Sequence, residues 1–226
     1  MAKNILFVLT SHSELGSTGH KTGWYLPEVA HPYYVLAHHK ITWASPKGGA
    51  TPMDPGSADA FKADPECAKF LVDPVAQAAV NNTVQLSTIN VADYDAVVVP
   101  GGHGPVFDLA YDAESARIIS GVYERGGVVG AICHGPAALI NVKLSNGSYL
   151  VNGKKLTAFS NAEEDAVSLT AAMPYLLEDE LVKHGGIYEK AGALWGEHVV
   201  VDGQLVTGQN PSSGHAFGKA ISQLLQ

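Results

Sequence analysis

Basic residues are scarce in this chain. It has only two arginines, Arg117 and Arg125, and no basic run; 14 Lys plus Arg stand against 22 Asp plus Glu, a formal charge of −8. A phosphate backbone is bound by clustered Lys and Arg that release its counterions, so nucleic acid and anionic membrane surfaces are excluded as expected partners. Cysteine is scarce too. Cys67 and Cys133 are the only two, which rules out a disulfide framework and, without CxxC spacing, a cysteine zinc site. No apolar run approaches the ~18 residues of a membrane helix, and Ile5–Leu9 is too short for a signal-peptide core. The expected setting is a soluble, reducing compartment, most simply the cytoplasm. Charged residues make up 16%, below the usual share of about 25%, while hydrophobic residues reach 46%. A chain of 226 residues with that content can bury a real core. Disorder, collagen and coiled coil do not fit.

What is present alternates. Asn4–Thr10, Ile41–Ser45, Ala96–Pro100 and Val128–Ile132 are short apolar, β-branched runs that read as buried strands. Between them lie helical spacings over Gly23–Lys40, where Pro32 should end or kink the helix, and over Cys67–Ala79 and Ala113–Glu124. Pro174–Lys183 and Ser212–Leu225 read as helices, and Pro46–Ala63 as a long loop. Asn152-Gly153 and Asp202-Gly203 sit between short apolar segments and predict two hairpins. The expected fold is one α/β domain over residues 1–226, a mostly parallel sheet covered by helices on both faces, with two added hairpins. In such sheets ligands bind beyond the carboxyl ends of the strands.

Two segments fall there. Gly130-Ala131-Ile132-Cys133-His134-Gly135-Pro136 takes a buried strand into one reactive residue, then small residues, then an apolar helix from Ala137, the strand–turn–helix order of a nucleophile elbow. A thiol at a helix N-terminus is expected to favour thiolate. Cys67, in a mixed helical stretch, is expected to be structural. Pro100-Gly101-Gly102-His103-Gly104-Pro105 follows the preceding strand. Its glycines expose backbone N–H groups, and the Gly102 and His134 amides would form an oxyanion site. Neither GxGxxG nor a P-loop is present, so phosphate binding is disfavoured. His134 adjoins Cys133 but need not touch it, since neighbouring helical side chains diverge. Ser160 and Glu163 match a capping box, leaving Glu164 as the carboxylate that orients His134, with Glu163 the alternative. Glu28, alone among Trp24, Leu26, Pro27 and Val29, should be partly desolvated and able to donate a hydrogen bond. A metal held by Glu28, His31 and His103 is the alternative use of those residues; without HExxH or comparable spacing the expectation is no metal.

Together these residues resemble the ThiJ/PfpI superfamily, with its class I glutamine amidotransferase-like fold, in the branch of heat-shock-induced glyoxalase III enzymes. The resemblance spans nearly the whole chain: Leu9-Thr10-Ser11, Glu28-Val29-Ala30-His31-Pro32, Gly102-His103-Gly104 with Phe107-Asp108, Cys133-His134-Gly135-Pro136, Phe159, Glu164, and Leu205 through Pro211. It implies a flavodoxin-like α/β sandwich, no cofactor, and a homodimer. It implies Cys133 as nucleophile, His134 as acid/base, Glu164 as third member of a triad, and Glu28 against the sulfur, with Gly101 and His103 contacting substrate. The implied substrate is a 2-oxoaldehyde such as methylglyoxal, converted to D-lactate, with deglycation and holdase activity also claimed for the group. The modest insertion after Ile41–Ser45 implies a reduced lid.

A thiolate, an imidazole and an oxyanion site suffice for that chemistry through a hemithioacetal, an enediol and a thioester. The rivals are a cysteine peptidase or amidase, using the same thiolate on an amide, and a chaperone or redox sensor without turnover. A glutamine amidotransferase would need a later His-Pro-Glu, which is missing.

Overall fold

The computed structural model describes residues 1–226. The elements run β1 (Asn4–Val8), α1 (Leu26–Leu36), β2 (Lys40–Ser45), α2 (Pro55–Ala60), α3 (Pro65–Val72), α4 (Pro74–Asn81), β3 (Val84–Gln85) and β4 (Ala96–Val99). They continue α5 (Gly104–Phe107), α6 (Ala113–Glu124), β5 (Val128–Ile132), β6 (Lys155–Leu156), α7 (Asn161–Ala166), α8 (Leu177–Lys183), β7 (Ile187–Tyr188), β8 (Val199–Asp202), β9 (Leu205–Gly208) and α9 (Gly214–Leu224).

The main sheet has seven strands in the order β3-β2-β1-β4-β5-β9-β8. All neighbours are parallel except β8 and β9. Alternation along each strand builds two cores. Leu6, Val8, Val97, Val99, Val129 and Ala131 face one layer, which includes Ile118, Ile119 and Val122 of α6. Ile5, Phe7, Ala96, Val98 and Ile132 face the other, with Leu26 and Val29 of α1 and Phe217 and Ile221 of α9. Burial on both faces is why these strands read as unbroken apolar runs. This is the flavodoxin-like sandwich expected from the sequence.

The chain leaves β1 in one direction for β2 and β3, then returns to place β4, β5 and β9 on the other side. That reversal opens a crevice at the strand ends. Val98 lies level with Gly130 and Val99 with Ala131, so the residues after β4 and β5 emerge side by side.

Several elements differ from expectation. Pro32 lies inside α1 without ending it; α9 packs against this turn at Gly218, and tertiary packing offsets the lost backbone bond. Cys67–Ala79 forms two helices, broken at Asp73, whose carboxylate accepts from the Val75 and Ala76 amides and whose following proline disfavours helical backbone. The long loop contains α2, capped by Asp54. Asp202-Gly203 makes its hairpin, with Val201 opposite Val206. Asn152-Gly153 turns, with Gly153 at φ 73°, but no hairpin follows. Lys155 and Leu156 pair in parallel with Ile187 and Tyr188 instead, because the preceding Leu150 and Val151 are drawn into the core.

Candidate active site

Cys133 follows β5 with φ 59°, a left-handed conformation in a residue with a side chain. Such strain persists only when the surroundings hold it. The Cys133 amide donates to Gly208 O at 2.9 Å and its carbonyl accepts from the Phe159 amide at 2.9 Å, pinning the elbow between β9 and the segment before α7. A short 3₁₀ turn, Gly135–Leu139, takes the place of the expected helix from Ala137.

The loop after β4 lies directly alongside. A Cβ at Gly101 would stand 2.6 Å from Glu28 Oε2, 2.6 Å from Ile132 O and 2.7 Å from His134 N, so only glycine allows β4, α1 and the elbow to meet. The Gly102 amide faces the Cys133 sulfur. Neither it nor the His134 amide donates to any other backbone group.

Cys133 Sγ lies 3.4 Å from His134 Nδ1. His134 Nε2 lies 2.6 Å from Glu164 Oε2, and His103 Nε2 lies 2.8 Å from Glu164 Oε1. A carboxylate only accepts, so both imidazoles donate to Glu164. Burial opposes the charge on Glu164, but His134 and His103 outweigh it and hold the carboxyl well below the usual range. Burial, reinforced by His103, lowers the His134 pKa, with Glu164 opposing. Neutral His134 with its proton on Nε2 leaves the Nδ1 lone pair toward Cys133.

Glu28 is fully buried, and neither oxygen meets a hydrogen-bond donor at ordinary geometry. The Cys133 thiol and the Gly101 and Gly102 amides surround it. Burial pushes its pKa up to about 8. The sequence expectation of a thiolate favoured by a helix terminus is corrected here. Burial, and then the Glu28 charge, push the Cys133 thiol well above its ordinary value, with only the Gly102 amide favouring the anion. The 3₁₀ turn is too short to supply a helix field against that burial.

A cavity of about 240 Å³ reaches this group, with Cys133, His134, His103 and Glu28 at its buried end. Tyr25, Phe159 and Trp195 contribute aromatic walls, Leu15, Val167 and Leu169 aliphatic ones, and Asp54 a carboxyl. The Phe159 ring lies tilted against His134, with centroids 4.6 Å apart and planes 36° from parallel. The sequence signals Phe159 only through the family pattern, and nothing local signals Trp195.

Glu28, His31 and His103 do not converge. His31 Nε2 faces Asp64 at 3.1 Å, near the buried Cys67, while His103 faces Glu164. The groups with metal-compatible spacing are His103–His134–Glu164 and two sets around His31, with Asp64 and Cys67 or with Glu66 and His215. Glu163 is fully buried and makes the capping box with Ser160; Glu164, the next residue, is the one that meets the imidazoles.

A parallel sandwich with a strained cysteine elbow at its switch point, backed by imidazole and two carboxyls, defines a class of cysteine-centred α/β proteins. The chain belongs to the DJ-1/PfpI family, whose model matches residues 27–224. It is 33% identical over 218 residues to glyoxalase 3 of Candida albicans, covering 92% of each chain. It is 28% identical to a glutathione-independent glyoxalase of Saccharomyces cerevisiae, covering 95% of this chain and 94% of the relative. Among solved structures, the 24 kDa rapid encystment protein of Francisella tularensis superposes with a TM-score of 0.94 at 41% identity over 99% of both chains. Glyoxalase III of Candida albicans superposes at 0.90 and 31% identity, covering 98% of this chain and 97% of the other.

Proposed function

We propose that the protein is a glutathione-independent glyoxalase that converts methylglyoxal to lactate with Cys133 as nucleophile, His134 as acid and base, and Glu164 and Glu28 as supporting carboxyls. The observation that carries this reading is the chain of contacts from Cys133 Sγ through His134 to Glu164, at the end of a small cavity. Relatives that bear the glyoxalase name over more than nine-tenths of the chain support it.

Protonated Glu28 shields the sulfur from a second negative charge and has a proton to donate toward it. His134 Nδ1 takes the thiol proton, and the thiolate adds to the aldehyde carbon. The new alkoxide rests against the Gly102 and His134 amides and becomes the hydroxyl of a hemithioacetal. His134 then removes the hydrogen from that carbon, giving an enediol, and returns a proton to the neighbouring carbon. The former aldehyde carbon is now a thioester and its neighbour a secondary alcohol. Water cleaves the thioester, releasing lactate and the thiol, so the net change is the addition of one water. Glu164 keeps the His134 proton on Nε2 throughout, leaving Nδ1 for transfer. His103, assigned to substrate contact from the sequence, serves in this reading also as the second donor that fixes Glu164.

The reading includes a single domain over residues 1–226, acting as a homodimer in the cytoplasm without a cofactor. Side chains of β1, β4, β5, α1 and α9 share one apolar layer, which supports one cooperative unit. No helix is long and apolar enough to cross a membrane. The test is lactate formation from methylglyoxal without glutathione. Wild type should turn over and Cys133→Ala should not, with unchanged far-UV circular dichroism. Equal lactate from Cys133→Ala would overturn the assignment, and faster cleavage of chromogenic peptides than of methylglyoxal would favour the amidase.

A further inference from the structure

Glu163 and Glu164 are neighbours on the first turn of α7, yet they face opposite ways. Glu164 meets His134 and His103. Glu163 Oε2 accepts from the Ser160 amide and hydroxyl and from Gln209 Nε2, while Oε1 accepts from Asn210 Nδ2 at 2.8 Å and the Trp195 amide at 3.3 Å. A capping box needs only the contacts to Ser160. The remaining ones lead to the segment between β7 and β8.

That segment hangs from this network. The Ala191 amide donates to Gln209 Oε1 at 2.8 Å, the Trp195 amide donates to Glu163, and Gly196 O accepts from Asn210 Nδ2 at 2.8 Å. Gln209 and Asn210 are themselves buried. A second cavity of about 200 Å³ adjoins the segment, bordered by Ser160, Ala162, residues 190–194 and Gln209. The segment is thus tethered by polar contacts, with open space beside it. Trp195 holds φ 62°, which needs external support in a residue with a side chain. Its ring lies 5.7 Å from Phe159, which in turn packs against His134. It also lines the Cys133 cavity beside Val167 and Leu169.

We infer that Glu163 is a positioning residue that, with Gln209 and Asn210, holds Trp195 as the specificity wall of the Cys133 cavity, favouring 2-oxoaldehydes that carry an apolar or aromatic substituent. The substrate part of this inference rests on the glyoxalase reading; the positioning part does not. Glyoxal has no substituent to meet the wall, methylglyoxal has a methyl, and phenylglyoxal has a ring that fits an aromatic surface.

The test compares wild type with Glu163→Gln and Trp195→Ala on glyoxal and phenylglyoxal, and measures acrylamide quenching of tryptophan fluorescence without substrate. Trp24 and Trp43 are buried and Trp195 is exposed, so quenching reports chiefly on Trp195. Glu163→Gln turns an amide toward donors that need an acceptor, and the tether loosens. Quenching should rise, and the KM for phenylglyoxal should rise about tenfold, with a smaller change in kcat. Trp195→Ala should lower the phenylglyoxal-to-glyoxal ratio of kcat/KM by a similar factor. If Glu163→Gln does not fold, Gln209→Met removes the Ala191 tether and the Gln209 contact to Glu163 but keeps the Trp195 amide contact, and should raise quenching to a lesser degree. Unchanged quenching in the folded variant overturns the positioning role, and an unchanged substrate ratio in Trp195→Ala overturns the specificity role. Should wild type turn over no 2-oxoaldehyde while Glu163→Gln still exposes Trp195, the glyoxalase reading fails and the positioning role stands.

Discussion

Cys133 Sγ and His134 Nδ1 lie 3.4 Å apart although the residues are neighbours in the chain. In regular helix or strand adjacent side chains point apart. The left-handed backbone at Cys133 swings its sulfur back toward the following imidazole. One strained residue thereby brings together two groups that most cysteine enzymes recruit from distant segments.

This arrangement makes Glu164 the control on the His134 tautomer. Glu164→Gln keeps the shape but leaves one amide oxygen where two imidazoles each donate to a carboxylate oxygen. One imidazole then turns or shifts its proton to the wrong nitrogen. We expect kcat with methylglyoxal to fall by about 10²–10⁴-fold, the range of a misdirected general base. Steady-state kinetics checks this, with circular dichroism to verify the fold.

Glu28 predicts an alkaline limit to activity. Its pKa of about 8 leaves it protonated at neutral pH. Above that value its charge stands beside the sulfur and opposes the thiolate. Activity in wild type should fall as pH rises through about 8, and Glu28→Gln should lose this descending limb. A descending limb retained in Glu28→Gln would assign it to another group.

The same group predicts a stability difference of defined sign. The folded pKa lies above the ordinary carboxyl value, so the folded state holds a proton that the unfolded state releases between about pH 4.5 and 8. Stability from this group is complete below the unfolded pKa and declines as pH rises through the folded one. Glu28→Gln escapes the decline. Its stability relative to wild type should improve from pH 4.5 upward, by up to about 3 kcal/mol at pH 7. Urea unfolding at several pH values measures the difference.

The sheet is legible in the sequence because strands buried on both faces leave continuous apolar runs, and β1, β2, β4 and β5 fall where those runs lie. The elbow is legible because its small residues are contiguous. Glu164 is reached by elimination, since the capping box accounts for Glu163. Trp195 and the network of Gln209 and Asn210 are not legible, because they meet α7 only through tertiary contacts from remote segments. The failed hairpin at Asn152-Gly153 has the same origin: local turn chemistry fixes the turn, but a partner more than thirty residues away takes the strand.

The break between α3 and α4, by contrast, rests on a local signal, Asp73 before Pro74. Asp73 Oδ1 accepts from the Val75 and Ala76 amides at 2.9 and 3.3 Å. Asp73→Ala removes this cap and the contact from the Tyr34 hydroxyl, and should lower the urea midpoint. It should leave methylglyoxal kinetics unchanged, since Asp73 is remote from the Cys133 cavity lining.

Gly101 tolerates no side chain, and its neighbours tie that intolerance directly to the sulfur's surroundings. Its missing Cβ would strike Glu28 Oε2, Ile132 O and His134 N, and two of these are backbone atoms that cannot swing aside. Gly101→Ala must therefore displace the elbow, Glu28, or both. Overpacking of this kind costs about 1–3 kcal/mol. The displacement also falls on the two groups that flank the sulfur, so alkylation of Cys133 by iodoacetamide should change rate together with the loss of turnover. Gly192→Ala is the control: no atom lies within 4 Å of its added Cβ and its backbone is not left-handed. Its urea midpoint should stay within about 0.5 kcal/mol of wild type. If Gly101→Ala behaves like Gly192→Ala in both stability and alkylation, the close approach of β4, α1 and the elbow is not what holds Glu28 against Cys133.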